Sequence, residues 1–209
     1  LGAPDRAKGN EALELFRRIG DRVHQGVAVA NLALLEWNDG NGAEALKMFR
    51  EAERLAAEVG DTSTEGISAF NAADVLMLMG RCDEAAELLR RAIPHLVAVG
   101  REAVVTLAQR SLGLALLGQG HTDAAVQLLE EVLTKHRDAG DRLEDGPGKG
   151  PAAGGVAEDP AIEGDFPAAE RPVPHKFAAA VDRADAIVKP GRAPQAQAVI
   201  TAVMQAHRI

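Results

Sequence analysis

The chain of 209 residues carries a net charge of −8 and is 46% hydrophobic, yet only 3% aromatic, with no tyrosine and one cysteine, Cys82. A chain of this size can bury a sizeable core, and its Ala- and Leu-rich, aromatic-poor make-up suits helix packing and disfavours an all-β fold. A lone cysteine excludes an internal disulfide and fits a reducing, cytoplasmic setting, and no apolar run reaches the length of about 18 residues that a membrane-spanning helix needs.

Residues 1–20 predict one helix, the back half of a truncated repeat, with Ala12, Leu15, Phe16 and Ile19 as its apolar stripe. Because the chain opens on Leu1 in mid-repeat, it is expected to be a fragment of a longer protein. Six helices are then predicted near 22–38, 42–58, 62–78, 82–98, 102–118 and 122–138. Their punctuation is glycine: Gly20, Gly40, Gly60, Gly80, Gly100, Gly120 and Gly140 fall every 20 residues. A glycine closes a helix because it enters the left-handed turn without a Cβ penalty. Asp21, Asp61 and Asp141 follow three of them, and Asp21 and Asp61 offer an acceptor to the free N–H groups of the next helix. Residues 21–60 laid over 61–100 without a gap give 11 identities in 40 positions; composition alone would give roughly three or four. The period predicts antiparallel helix pairs, A then B, stacked so that each covers the apolar stripe of the last. Pro94, inside the helix at 82–98, removes the bond to the Arg90 carbonyl and is expected to bend the last turn.

Three stretches result: an array over 1–143, a linker over 144–174 and a tail over 175–209. The linker holds six of the ten prolines and six glycines, so it is expected to be acidic and flexible. The tail returns to helical patterning, split at Pro190-Gly191, and is expected to form a hairpin, a degenerate fourth pair that caps the array. Charge is uneven, at +1 over 1–20, −7 over 21–140, −5 over 141–174 and +3 over 175–209. An acidic array is a poor surface for phosphate backbones, so direct nucleic-acid binding is not expected.

Asn31-Leu32-Ala33, Gly40, Ala45, Phe49 and Ala52, echoed by Asn71-Ala72-Ala73, Gly80, Ala85, Leu89 and Ala92, resemble the signature of the tetratricopeptide repeat. Ser111-Leu112-Gly113, Gly120, Ala125, Leu129 and Val132 match more loosely. The 40-residue phrasing resembles a subclass that includes Pins-type adaptors, kinesin-light-chain-like arrays and the C-terminal arrays of bacterial transcriptional regulators. The resemblance implies an all-α, right-handed superhelical solenoid that acts as a non-enzymatic protein-interaction module. It also implies a peptide site on the concave face of the A helices. Carried over position by position, that site is Val27, Ala30, Asn31, Leu34, Trp37 and Asn38 in the first pair. The second pair supplies Ile67, Phe70, Asn71, Asp74, Met77 and Leu78; the third supplies Leu107, Arg110, Ser111, Leu114 and Leu117.

An Asn amide can donate to and accept from a peptide backbone at once, but Asn31 and Asn71 can equally tie helices together inside a scaffold. Trp37 can line the groove or simply pack between repeats. A carboxylate-binding clamp needs several cations, and here Arg110 stands alone beside Asp74. The histidines show no metal-ligand pair at helical spacing, and Cys82 has no partner at zinc spacing. Residues 146–151 lack the strand, helix and Ser/Thr of a phosphate loop. No metal, cofactor or catalytic constellation is expected. The rival reading is a purely structural or oligomerising array without a groove ligand.

Overall fold

The computed structural model describes residues 3–144, with side chains from Arg6 to Lys135. The tail, and the linker beyond its first residue, lie outside the described residues. Seven helices follow one another: α1 (Ala3–Ile19), α2 (Arg22–Asn38), α3 (Gly42–Val59), α4 (Thr62–Leu78), α5 (Cys82–Ala98), α6 (Glu102–Gly118) and α7 (Thr122–Glu144). No strand occurs among the described residues. The fold is an all-α solenoid in which α2–α3, α4–α5 and α6–α7 are the helix pairs.

The breaks between helices have a local cause. Gly20, Gly40, Gly60, Gly80, Gly100 and Gly120 all have φ between 69° and 86°, where any side chain would be strained. Past each glycine the chain folds back onto the helix just ended, as where the Asp61 N–H bonds the Ala56 carbonyl at 2.9 Å. Asp21 then caps α2 by accepting from the His24 N–H at 3.0 Å, and Asp61 caps α4 by accepting from the Thr64 N–H at 3.1 Å. Gly140-Asp141 behaves differently: α7 runs through it to Glu144. A glycine costs about 1 kcal/mol inside a helix, which α7 tolerates at Gly140.

Packing follows the repeat. Ala45, Ala85 and Ala125 are fully buried, as are Leu89 and Leu129, with Phe49 at 1% exposure. Each such large side chain contributes about 1.5–3 kcal/mol by leaving water. The small residues set how close the helices come: a Cβ on Gly113 would lie 2.6 Å from Leu129 Cδ2. In α1 the expected stripe is only partly right. Leu13 is buried and Phe16 half-buried, but Leu15 is 45% exposed and Ile19 64% exposed. Leu55, one period after Leu15, is buried in a cluster with Ala28, Val29 and Leu32 of its own A helix. No described helix offers that cover to Leu15. Polar groups add to the Leu13 and Phe16 packing that holds α1: Gln25, itself buried, donates to the Phe16 carbonyl at 3.0 Å, and Arg6 pairs with Glu36 and Asp39. Phe16 also stacks on His24, ring centroids 5.1 Å apart.

The curvature comes from which helices meet. The backbones of α2 and α4, and of α4 and α6, approach closely, whereas those of α3 and α5 stand farther apart and meet only through side chains. The A helices therefore form the tight, inner side of the solenoid and the B helices the splayed, outer side.

Candidate functional site

The inner face is built from α2, α4 and α6, and its residues divide by depth. Ala30, Phe70, Met77, Ser111, Leu114 and Leu117 are buried, so they hold the helices together. Val27, Leu34, Trp37, Ile67, Leu78 and Leu107 are half-buried, and Leu34, Trp37, Ile67, Leu78 and Leu107 pack against the main core with part of their surface left open. Asn31 and Asn38 are exposed, while Asp74 and Arg110 are half-buried. The open face is thus an apolar strip with a few polar groups set along it, a composition that suits an apolar or amphipathic chain segment.

Asn31 and Asn71, one period apart, do not have equal surroundings. Asn31 is exposed and Asn71 is only 7% exposed. The cause is position in the stack: α4 has an A helix on each side, whereas α2 has one only on the α4 side. The third member of the series, Ser111, is fully buried and donates from Oγ to Asp74 Oδ1 at 2.8 Å. By the repeat, the acceptor for Asn71 would stand at position 34, and that residue is Leu34. The Asn71 amide accordingly makes no hydrogen bond among the described residues. Its donors and acceptor are unused by the array and stay open to solvent, and so to a ligand, at the middle of the face. Next to Ser111, burial pulls the Arg110 guanidinium below its ordinary value, while the Asp74 carboxylate opposes that shift.

A second surface lies on the outer side. Between α3 and α5 runs a groove of about 840 Å³, lined by Ala57, Leu88 and charged side chains. Arg91 Nη2 reaches Glu53 Oε1 at 2.7 Å, and Arg50 Nη2 reaches Glu84 Oε2 at 3.4 Å. Glu53 is the deeper of these carboxylates, with 18% of its side chain exposed. Burial pushes its pKa up, Arg91 opposes that, and the neighbouring Glu65 adds to it.

The tetratricopeptide repeat family model matches the chain over residues 26–96 and again over 67–138. The chain belongs to the tetratricopeptide repeat family. Arrays of this family bind protein partners, and the coarse function, protein–protein interaction, follows from that. No curated protein sequence matches the chain. Among solved structures it is similar to a signal transduction ATPase with numerous domains (STAND protein) from Pyrococcus horikoshii that has a tetratricopeptide repeat sensor. The identity is 18% and the TM-score 0.59, over 65% of this chain and 21% of that one. It is also similar to a putative kinesin light chain from Podosopora anserina with nearly identical repeats. There the identity is 17% and the TM-score 0.51, over 97% of this chain and 88% of that one. The chain spans about a fifth of the STAND protein's length. At these identities the likeness is one of fold. Among the described residues no helix is long and apolar enough to cross a membrane.

The tetratricopeptide pattern identifies the A-helix positions, but the depth of each residue depends on the stack. The outer groove escaped the sequence reading. Its signal was present in α3 and α5 as Arg and Glu at helical spacing (Arg50, Glu53, Arg54; Glu84, Glu87, Arg91), which reads as an ordinary solvated face until the two helices are seen side by side.

Proposed function

We propose that the inner face of α2, α4 and α6 holds a segment of a partner protein, and that this cytoplasmic array senses or relays within a larger bacterial regulatory protein. The observation that carries the reading is the Asn71 amide, set deep at the middle of the face, unbonded within the array and still reaching solvent. A backbone lying over α4 could bond that amide as donor and acceptor. Asn31, Asn38 and Arg110 offer further polar contacts, and Leu34, Trp37, Ile67, Leu78 and Leu107 offer apolar ones. The sensor array of the STAND protein supports the regulatory context by analogy of fold. The structural-array reading keeps one observation in its favour, the exposed apolar end at Leu15, Ile19 and Val23, which an added repeat would cover.

The test is selection of peptides from a displayed library on the immobilised chain, followed by affinity measurement on variants. Asn71→Leu and Trp37→Ala are expected to weaken the selected peptides by about 1–3 kcal/mol, with helicity by circular dichroism unchanged. Peptides that bind both variants as tightly as the parent would place the ligand elsewhere and defeat the reading.

A further inference from the structure

We propose that the ion pairs between α3 and α5 form a salt-sensitive strap that sets the angle between the first two full helix pairs. The two pairs are joined firmly on one side, where α2 meets α4 and α3 meets α4. On the other side the backbones of α3 and α5 stand apart across the groove. Among the described residues, Arg50–Glu84 and Arg91–Glu53 are the ion pairs that cross it. Three of these four side chains are 45% exposed or more, so the attraction acts largely through water and weakens as salt screens it. Rotation of one pair against the next about the inner contacts would widen this gap, and the strap opposes it.

The next step of the array supplies an internal control. One period on, Arg50 and Glu84 become Arg90 and Ala124, and Glu53 and Arg91 become Ile93 and Glu131. Neither couple can form an ion pair, so the repeat equivalents of both straps are missing from the α5–α7 gap. A gap with these two couples and a gap without them thus lie side by side in one chain. The inference concerns the geometry of the array and stands whatever the inner face binds.

Spin labels at Lys47, Glu87 and Gln127, three exposed and repeat-equivalent positions on α3, α5 and α7, report the two gaps by pulsed dipolar spectroscopy in a Cys82→Ala background. Raising salt from about 0.1 M to about 1 M cuts the Debye length from about 10 Å to about 3 Å. The 47–87 distance is expected to shift to longer values, while the 87–127 distance stays put. Arg50→Met with Arg91→Met should show the long 47–87 distance already at low salt and lose the response. Glu53→Gln with Glu84→Gln should do the same from the acidic side, which guards against one variant misfolding. A 47–87 distance indifferent to salt, an equal response in the 87–127 distance, or a response that survives both variants would overturn the strap.

Discussion

Asn71 and Ser111 occupy the same place in successive repeats, and their substitution should move stability in opposite directions. Ser111 is fully buried and gives its hydroxyl proton to Asp74 at 2.8 Å; hydrogen bonds to charged groups contribute about 1.5–3 kcal/mol. Ser111→Ala removes the donor and leaves the carboxylate one partner short in a half-buried place, so it should cost about 2 kcal/mol. Asn71 has nothing to lose of this kind. Leucine has nearly the shape of asparagine and the higher helix propensity, so Asn71→Leu exchanges an unbonded amide for an apolar group of the same size. It should stabilise by about 1 kcal/mol. Urea unfolding followed by circular dichroism reads both values, and thermal melts should separate the variants from the parent by about 2–4 °C per kcal/mol. If Asn71→Leu lowers stability by more than about 1 kcal/mol, the amide is bonded inside the folded array. It would then be a structural tie, and the case for Asn71 as a ligand contact would fall with it.

Gly113→Ala should destabilise by about 1–3 kcal/mol, since its Cβ would meet Leu129 side-chain atoms at 2.6 and 2.7 Å; Gly26→Ala, whose nearest contact is 3.6 Å, should stabilise by about 0.5–1 kcal/mol, and equal behaviour of the two in urea would refute the packing argument. Burial raises the Glu53 pKa in the folded chain above 4.5, so the folded state binds that proton more tightly, and stability from this group is lost as pH rises from 4.5 through the raised value. Stability–pH curves of Glu53→Gln should therefore be flatter than the parent's in that window; superimposable curves would count against it. Asp21 runs the other way, because the His24 N–H lowers its pKa below 3.8: Asp21→Ala should lower the melting temperature near neutral pH, and the gap should close as pH falls through the depressed value. A gap independent of pH down to acid would mean the cap does not act through the charged carboxylate.

The helices, their ends and their pairing are legible in the sequence because each rests on local chemistry. A glycine at positive φ follows six of the helices, and Asp21 and Asp61 cap by reaching three residues along their own chain. Phe49, Leu89 and Leu129 are recognisable as core from helical spacing alone. Depth and partnership were not legible in the same way, since they depend on what stands beside a residue in the stack. Asn31 and Asn71 look alike in the sequence, yet one is exposed and the other buried, because α4 lies between two A helices and α2 does not. Leu15 matches buried Leu55 but lies open, because no described helix covers it. The outer groove needed α3 and α5 placed side by side before Arg50, Glu53, Glu84 and Arg91, more than thirty residues apart in the chain, became straps across a gap. Sequence period determines which residues share a face; only the stacking of one pair on the next decides which of them meet a partner, meet water or meet nothing.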